Sequence, residues 1–379
     1  MPDKLKVNFF ANYAADAQYS MLFYSAQIQA SLKLYFADQC QIDTFVPRQT
    51  GWGRILSKNA IGKKLDSYWS RFIAHPRIAR RVAAGINHIT DHNNSYLIKY
   101  LDPARTVVTC HDLMYFRLPD NNGAGKKSFF KETLRKYTVS GLNLAARIVA
   151  DSENTKQDII DLFGIKPDKI TVIYPGIRPD FFRITDPKIL DQAKERLKFN
   201  WDKVILHVGE NSYYKNVEAI FYVLKILNKE GNHGVHFVKI GNDFTPRQKA
   251  LILELGIKNY IHYLGKFKDS DLNLAYNLCD MLVFPSLYEG FGWPPLEAMA
   301  CGRPVICSAE GSLKEVAGGA ALIIPPRDHQ GIARSILTLL SDPAARLEKV
   351  RQGFENIKRF DRKKMSEALL KIYLEVENA

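Results

Sequence analysis

Short apolar segments alternate along this chain with longer segments whose apolar residues recur at helical spacing. In the first half, the strand-like segments are 6–10, 42–46, 85–90, 106–110, 147–150 and 169–173. The segments of helical length between them include 19–37, 128–145 and 153–163. Strands that alternate with helices in this way predict a parallel sheet covered by helices on both faces.

The same alternation starts again in the second half of the chain. Its predicted strands are 204–208, 235–240, 261–264, 281–284, 304–307 and 320–324, and its predicted helices are 217–228, 246–255, 270–279, 296–300 and 329–341. Pro175 and Pro179 interrupt the pattern between the two sets. The sequence therefore predicts two doubly wound α/β domains, 1–178 and 179–360, and a C-terminal helix within 361–379 that can cross back to the first domain.

The composition agrees with a folded protein of this size. A chain of 379 residues exceeds what one hydrophobic core usually serves, and 46% hydrophobic with 25% charged residues excludes disordered, fibrous and disulfide-scaffold classes. No apolar run approaches the ~18 residues of a spanning helix, and the N-terminus lacks a secretory pattern. Five cysteines without a C-x-x-C pair indicate reduced thiols, so we expect a cytoplasmic protein.

The net charge of +13 is concentrated in the first half, where residues 1–183 carry +10 and the remainder +3. Within 54–81, Asp66 is the single acid among Arg54, Lys58, Lys63, Lys64, Arg71, Arg77, Arg80 and Arg81. The aromatic residues of this region are Trp52, Tyr68, Trp69 and Phe72. A basic surface with aromatic residues suits an anionic membrane or a nucleic-acid backbone. A solvated surface with its aromatic residues in the core is an equally open interpretation.

The clearest candidate site is the segment 285–302, which follows the predicted strand 281–284. Gly290 and Gly292 leave backbone N–H groups open to close approach by a ligand. A proline, Pro294 or its neighbour Pro295, suits the first position of a helix. The free N–H groups of a helix N-terminus can face phosphate oxygens, so this turn is a candidate phosphate site.

Two carboxylates, Glu289 and Glu297, flank the glycine-rich turn. Carboxylates accept hydrogen bonds from sugar hydroxyls, so the pair can contact different parts of one ligand. The ordinary interpretation is a loop with a carboxylate near a helix dipole. The combination of glycines, prolines and two carboxylates favours a ligand site.

With these residues in view, the segment resembles the signature of the retaining GT-B-fold glycosyltransferases of family 4, also called glycosyltransferase group 1. Further segments that resemble the family, in its order, are 149–155, 172–177, 208–216 and 311–316. The resemblance is dense over 104–330 and thin in the first hundred residues. It implies a GT-B fold, with two Rossmann-like domains facing a cleft. It also implies transfer of a sugar, mannose by general resemblance, from a nucleotide-diphosphate sugar to a hydroxyl of a glycan or lipid-linked acceptor in polysaccharide biosynthesis.

The resemblance places the donor in the second domain. It implies that Glu297 holds the ribose hydroxyls, that Glu289 contacts hydroxyls of the donor sugar, and that Lys215 neutralises the leaving diphosphate. The backbone amides that would meet sugar and diphosphate are those of Gly290, Phe291 and Gly292. The residues implied at the first donor-domain loop and around the base are Gly209, Gly241, Gly265 and Lys266.

One departure from the family concerns the loop that carries Lys215. Family members commonly pair this lysine with an arginine in the same loop, whereas 210–214 contains no arginine and includes Glu210. A carboxylate beside a diphosphate would repel it, so we expect Glu210 to point elsewhere. Arg303 or another residue would have to supply the missing charge.

The first domain carries a histidine at the end of a predicted strand. His111 follows 106–110 and resembles the family histidine that contacts the donor sugar, with Asp112 as a candidate orienting partner. The first-strand loop lacks the glycines that many members carry. The resemblance implies that this loop faces the acceptor, and its candidate acceptor-side residues are Asn12, Tyr13 and Asp16.

The expected reaction is attack by the acceptor hydroxyl on the face from which the diphosphate departs, with the departing oxygen taking the proton. Glu289 as a covalent nucleophile is the alternative. We expect neither a cofactor nor a metal. Asp269-Ser270-Asp271 resembles a D-x-D metal motif, but its place before a helix favours capping. His88 and His92 are four residues apart and lack a third ligand.

Two rival functions remain at this point. A phosphorylase or a sugar-nucleotide epimerase would use the same fold, although the spacing of Glu289 and Glu297 favours a transferase over an epimerase. A basic nucleic-acid-binding protein is the rival from another class. Because a lipid-linked acceptor accounts for the same basic region, we favour a cytoplasmic enzyme that is peripheral at the inner face of the membrane.

Overall fold

Each half of the chain folds around its own six-stranded parallel sheet. The computed structural model describes residues 4–13, 19–47, 60–82, 84–118, 129–231 and 233–379. The chain divides into unit 1, which comprises 1–176 and 361–379, and unit 2, which comprises 177–360. The chain leaves unit 1 beside the proline-glycine break that the sequence marks, and the two doubly wound α/β folds predicted from the sequence are confirmed.

The strands of unit 1 lie in the order β2-β1-β3-β4-β5-β6. They are β1 (Leu5–Phe10), β2 (Cys40–Phe45), β3 (Ile86–Ile89), β4 (Thr106–Cys110), β5 (Arg147–Ala150) and β6 (Ile170–Val172). The helices are α1 (Tyr19–Tyr35), α2 (Ala60–Trp69), α3 (His75–Ala79), α4 (Met114–Arg117), α5 (Phe129–Thr138) and α6 (Glu153–Phe163). A π-helical turn, Ser70–Ala74, joins α2 to α3, and a 3-10 segment, His92–Tyr100, follows β3. The sequence predicted neither the helix through residue 79 nor this 3-10 segment.

The core of unit 1 lies on both faces of its sheet. Val7 and Phe9 face one side and Phe10 faces the other, because side chains alternate along a strand. Every residue of β4 is buried, as expected for a central strand of a sheet covered on both faces. The C-terminal helix, α15 (Arg362–Glu377), packs on this unit beside α1. His88 Nδ1 lies 2.6 Å from Tyr373 Oη, so the last helix is joined to a central strand.

The strands of unit 2 lie in the order β12-β11-β10-β7-β8-β9. They are β7 (Val204–Gly209), β8 (His236–Gly241), β9 (Ile261–Tyr263), β10 (Met281–Phe284), β11 (Val305–Cys307) and β12 (Leu322–Ile323). The helices are α7 (Pro187–Leu197), α8 (Val217–Leu224), α9 (Pro246–Glu254), α10 (Asp269–Leu278), α11 (Trp293–Ala300), α12 (Leu313–Ala317), α13 (His329–Ser341) and α14 (Pro343–Ile357).

Each sheet has a point where the strand order reverses. In unit 1 it lies between β1 and β3, and in unit 2 between β7 and β10. Open α/β sheets bind ligands outside the carboxyl ends of the strands at such a point. The loops after these four strands are therefore where a site is expected.

Two further expectations concern thiols and membrane spans. All five cysteines are buried and free, so none forms a disulfide. Over the stretches that the structure describes, no helix combines the length and the apolarity needed to cross a bilayer.

Candidate active site

The loops after β7 and β10 meet through an ion pair. Lys215 Nζ donates to Glu289 Oε1 over 2.7 Å, and Ser286 Oγ donates to the same oxygen over 2.7 Å. The side chains of the ion pair are largely buried, at 15% and 9% exposure for Lys215 and Glu289. The chain separates the two by 74 residues, so it is the adjacency of β7 and β10 that brings them together.

Two hydrogen bonds join these loops, and a third joins the lysine loop to the segment after β12. Leu287 N donates to the carbonyl of Tyr214 over 2.6 Å. Asn216, which has a left-handed backbone with φ of 50°, donates from Nδ2 to Pro285 O and Pro326 O. The loop that carries the lysine is thus fastened to the loop that carries the glutamate.

The segment 311–316 supports the Glu289 loop from behind. Ser312 donates from its backbone N–H to Glu289 O over 3.0 Å and from Oγ to Phe291 O over 2.7 Å. Gly311 has φ of +61°, and a Cβ there would lie 2.3 Å from Glu289 O. A glycine is required because the two backbones touch, which accounts for this segment of the family resemblance.

The glycine-rich turn leads directly into α11, which begins at Trp293, so Pro294 and Pro295 lie in its first turn and neither occupies the first position as predicted. Gly292 has φ of +98°, and a Cβ there would lie 2.7 Å from Leu313 Cδ2. The ring of Phe291 is buried and packs against Phe360. The aromatic ring therefore anchors the turn, and the predicted contribution of 290–292 to a ligand rests on the backbone amides.

Glu297 lies on α11, and both of its carboxylate oxygens have partners. Tyr276 Oη donates to Oε2 over 2.8 Å, and Arg178 Nη1 donates to Oε1 over 3.3 Å. Burial raises the pKa of Glu297, although the charge of Arg178 and the bond from Tyr276 oppose the change. Neither partner was among the residues predicted from the sequence. Arg178 follows the proline-glycine break at the unit boundary, whereas nothing distinguishes Tyr276 within an ordinary helix.

Three of the predicted glycines lie together at the same edge. Gly209 and Gly241 are register partners at the ends of β7 and β8, and Gly241 N donates to Gly265 O over 2.8 Å. A Cβ on Gly241 would lie 2.0 Å from Gly209 O, so the backbones are in direct contact. The fourth residue of the set, Lys266, is exposed beside Gly265.

The structure adds a buried lysine that the sequence analysis did not select. Lys239 lies in β8, is fully buried, and donates from Nζ to the carbonyl oxygens of Gly209 and Ile240. Burial lowers the pKa of Lys239 to about 7; the charge of Lys215 lowers it further and that of Glu210 raises it. A lysine inside the otherwise apolar segment 237–240 was the available signal.

The two expectations about charge in this region have different outcomes. Glu210 is exposed and accepts a hydrogen bond from Ser212 Oγ over 3.2 Å. Arg303 precedes β11, so it lies at the amino edge of the sheet, where it donates to Asn277 O. The proposal that Arg303 supplies the missing charge beside Lys215 is therefore wrong, because the two residues lie at opposite edges.

The D-x-D-like segment does not cap α10 as predicted. Asp269 and Asp271 lie within the first turn, and the residue before the helix, Lys268, makes no side-chain cap. The two carboxylates instead form ion pairs with Arg178 and Arg196. The capping expectation fails because the helix begins at Asp269, and carboxylates in the first turn still suit the helix dipole.

The paired histidines of the first domain are not brought together. His88 is buried in β3, where Nε2 lies 2.8 Å from Thr109 Oγ1, and His92 begins the 3-10 segment after that strand. Among the residues that the structure describes, no three His, Cys, Asp or Glu side chains are grouped so as to hold a metal ion.

At the carboxyl edge of unit 1, His111 is held by two acceptors. Its Nδ1 lies 2.6 Å from Asp151 Oδ2, and its Nε2 lies 2.8 Å from Thr90 O. Asp112, the orienting partner proposed from sequence, instead accepts from Met114 N over 3.1 Å. The correct partner is Asp151, which lies 40 residues further along the chain at the end of the neighbouring strand.

This environment favours a charged imidazole. Burial opposes the charge of His111, but the charge of Asp151, the hydrogen bond to it and the charge of Asp91 outweigh burial and raise the pKa of His111 to about 9. Because both ring nitrogens face acceptors, both carry a hydrogen in the charged form. The edge of unit 1 thus holds a buried imidazolium.

Two of the three acceptor-side candidates lie in buried contacts. Asn12 donates from Nδ2 to Asp91 Oδ2 over 2.5 Å and accepts from Asn94 Nδ2 over 2.7 Å. Tyr13 donates from its hydroxyl to the carboxylate of Asp66. Their contact with an acceptor stays a prediction, and the third candidate, Asp16, lies outside the described residues.

Two family models match this chain. The model described as "Glycosyl transferases group 1" matches residues 189–359, and the model described as "Glycosyltransferase Family 4" matches residues 48–181. Together they account for most of both units.

The curated relatives include mannosyltransferases. The chain is 29% identical to O-antigen chain mannosyltransferase B of Escherichia coli, over 76% of this chain and 74% of that protein. It is 30% identical to the serotype-specific mannosyltransferase WbdA of Escherichia coli, over 75% of this chain and 35% of that protein, so it spans about a third of WbdA.

The fold also matches solved structures. HepE of Anabaena, solved in complex with UDP and glucose, is similar with a TM-score of 0.73 at 16% sequence identity, covering 97% of this chain and 99% of that chain. The two parallel sheets, the glycine-rich edge of unit 2 and the family matches lead to one conclusion: the chain belongs to the GT-B-fold glycosyltransferases of group 1, family 4.

Proposed function

We propose that the enzyme transfers a mannosyl group from GDP-mannose to a hydroxyl of a glycan or lipid-linked acceptor, with retention of configuration and without a metal ion. The observation that carries the proposal is the buried Lys215–Glu289 pair beside the glycine-rich turn. The choice of mannose is supported by the mannosyltransferases among the relatives.

In this proposal, unit 2 binds the donor. Lys215 Nζ contacts the diphosphate, and its charge stabilises the negative charge that grows on the leaving group. The amides of 290–292 and the N-terminus of α11 face phosphate and sugar oxygens. Glu297 accepts from the ribose hydroxyls, which replaces one of its bonds to Arg178 or Tyr276.

The chemical step needs no protein nucleophile. The acceptor oxygen forms a bond to the anomeric carbon as the bond from that carbon to the β-phosphate oxygen breaks, on the same face of the sugar. The acceptor proton passes to the departing phosphate oxygen, so atoms and charge balance. Glu289 Oε1 already accepts from Lys215 and Ser286, and this suits a carboxylate that orients sugar hydroxyls better than one that attacks carbon.

His111 gives unit 1 a fixed cation in this scheme. We propose that its imidazolium contacts the donor sugar, exchanging its bond to Thr90 O for a sugar oxygen. The bond to Asp151 keeps the ring oriented while that exchange takes place.

Thermal-shift measurements test the donor assignment. GDP should raise the midpoint of unfolding more than UDP or ADP at equal concentration, and GDP-mannose should be hydrolysed or transferred. Chelation with EDTA should leave turnover unchanged, and proton NMR of the product should show the anomeric configuration of the donor. If no nucleoside diphosphate raises the midpoint, the donor assignment is wrong.

We also propose that unit 1 binds an anionic membrane surface, and one face of the helix from Ala60 to Ala79 supports this. Its exposed apolar residues recur every fourth position, namely Ile61, Leu65, Trp69 and Ile73. Exposed cations beside them are Lys63, Lys64, Arg77 and Arg80, whereas Asp66 is buried. Of the other residues noted in this region, Tyr68 and Phe72 are partly buried and Trp52, Arg54 and Lys58 lie outside the described residues.

Vesicle sedimentation tests this partner. Vesicles with anionic phosphatidylglycerol should bind the protein, vesicles of phosphatidylcholine alone should not, and Trp69→Ser should weaken binding. Equal binding to both vesicles would contradict the proposal. Steep salt-dependent binding to DNA, with none to vesicles, would favour the nucleic-acid interpretation instead.

A further inference from the structure

Lys239 is a buried lysine that has no role in the proposed transfer reaction. Its ammonium has three N–H groups, and its hydrogen bonds go to two backbone carbonyls, those of Gly209 and Ile240. Among the residues that the structure describes, no carboxylate forms an ion pair with it. Buried lysines are rarely left without an anionic partner, because the cost of removing the charge from water is then not offset.

Lys239 lies beside the same two glycines as Lys215. A Cβ on Gly241 would lie 3.2 Å from Lys239 Nζ, and a Cβ on Gly209 would lie 4.0 Å from Lys215 Cε. The two lysines therefore flank the same pair of contacting glycines, one from each strand end. This is the carboxyl edge of β7 and β8, and Lys215, which contacts the diphosphate in the proposed function, lies at the same edge.

The other cations named at this edge are either paired or exposed, since Lys215 contacts Glu289 and Lys266 is exposed beside Gly265. Lys215 is paired with Glu289, so its charge is largely offset before any ligand binds. Glu210 adds a further negative charge in the same loop. A nucleoside diphosphate brings at least two more negative charges, and a buried cation such as Lys239 offsets them more strongly than an exposed one, because salt and water screen it less.

We propose that Lys239 is a second cation, a positioning residue that holds the Gly209 carbonyl and places a positive charge behind the Gly209–Gly241 pair for the diphosphate. The proposal rests on the proposed donor site. It also accounts for the missing loop arginine, because a lysine on the adjacent strand supplies the charge from beneath the loop.

The titratable groups around Lys239 influence its pKa and therefore its charge at a given pH. Lys215 and Glu210 lie in the loop after β7, His207 faces it from β7, and Tyr263 is its register neighbour on β9. Burial lowers the pKa of His207 well below its usual value, so His207 is neutral near pH 7. With Lys239 partly deprotonated at neutral pH, binding of a diphosphate should draw a proton onto it.

Binding measurements with GDP, GMP and inorganic pyrophosphate test the proposal. Lys239→Met should lower the affinity for GDP and for pyrophosphate by about tenfold or more, which is the usual contribution of one charged contact. It should lower the affinity for GMP by much less. Lys239→Arg should restore most of the GDP affinity. Lys203→Met is the matched control, because Lys203 is an exposed lysine at the opposite edge that donates to His233 O over 2.9 Å.

Two outcomes would overturn the proposal. Lys239→Met could bind GDP as tightly as the wild type, or it could lose GDP and GMP equally, which would indicate a structural role alone. If Lys239→Met fails to fold, proton uptake on GDP binding tests the proposal in its place. Calorimetry at pH 8, in two buffers of different ionisation enthalpy, measures this uptake for the wild type and for Lys239→Arg. The wild type should take up a proton and Lys239→Arg should not. Equal uptake in both proteins would overturn the proposal. If the wild type binds neither GDP, UDP nor pyrophosphate, the proposed function itself fails.

Discussion

The two units place different chemistry at the same topological position. At the carboxyl edge of the unit 1 sheet, polar side chains are bonded to one another, with His111 between Asp151 and Thr90 and with Asn12 on Asp91. At the carboxyl edge of the unit 2 sheet, glycine backbones lie beside Lys239 and beside the Lys215–Glu289 pair. One sheet topology thus supports two kinds of site.

The different side chains at the two edges suit different chemical groups of a ligand. Glycines without a Cβ let phosphate oxygens reach backbone N–H groups, and lysines supply charge without fixing direction. A network of carboxylate, amide and imidazole fixes direction instead, and directed donors and acceptors suit hydroxyl groups. The edge of unit 2 is therefore suited to an anionic group, and the edge of unit 1 is suited to hydroxyl groups.

The largest expected effect comes from breaking the ion pair of unit 2. Lys215→Met should lower kcat by about 10²–10³, because it removes charge from the leaving group and leaves Glu289 buried without its cation. Steady-state kinetics with GDP-mannose measures the change, with Lys203→Met as the charge control. A fall in kcat of less than about threefold would contradict the role assigned to Lys215.

A glycine exchange in each unit tests how strictly the backbone contact is required. Gly241→Ala should cost several kcal/mol of unfolding free energy, because the new Cβ would meet Gly209 O at 2.0 Å. Gly164→Ala in unit 1 has the same sign of φ, at +62°, but open space around the Cβ, so it should cost only about 1 kcal/mol. Urea unfolding of both variants measures the difference, which comprises the clash and the added strain of the larger φ of Gly241, +129°. Equal costs would show that neither the clash nor the larger φ adds to the cost.

The imidazolium of unit 1 should make stability depend on pH. The folded state holds a proton on His111 up to pH about 9, whereas the unfolded state releases it near 6.5, so the stabilisation is complete below pH 6.5 and is lost as pH rises to 9. The loss should be about 3 kcal/mol at most, and His111→Asn should remove this part of the slope. The midpoint of urea unfolding measured from pH 6 to 9.5 checks this, and identical slopes in both proteins would contradict the charged form.

His88 provides the internal contrast within unit 1. Burial lowers the pKa of His88 to about 3, so the unfolded state binds more protons between pH 3 and 6.5 and stability should fall on acidification. His88→Asn should reduce the loss of stability between pH 6.5 and 4.5. A slope unchanged by His88→Asn would show that other groups cause the acid sensitivity.

The smallest expected effect concerns the orientation of Glu297. Tyr276→Phe removes one hydrogen bond to its carboxylate, worth about 1 kcal/mol, and should weaken GDP binding about fivefold without changing kcat. Tyr260→Phe, at a tyrosine earlier in the same unit, is the control. Glu297→Ala should lower the affinity for GDP more than Tyr276→Phe does. An unchanged affinity in Glu297→Ala would contradict the proposed contact between Glu297 and the ribose.

The sequence by itself determined the alternation of strands and helices, the two units and the glycine-rich turn between Glu289 and Glu297. These are local properties, because hydrophobic spacing and backbone freedom act within a few residues. The same local reasoning went wrong where it assigned partners, with Asp112 for His111 and Arg303 for the charge beside Lys215.

Only the tertiary structure decided which distant residues meet. Asp151 reaches His111 because β4 and β5 are neighbours, and Lys239 reaches Gly209 because β7 and β8 are paired in register. Parallel strands gather the residues at their carboxyl ends at one edge, whatever their separation along the chain. The pairing order of the strands, which local patterns do not encode, therefore determines the charge and hydrogen bonding of both edges.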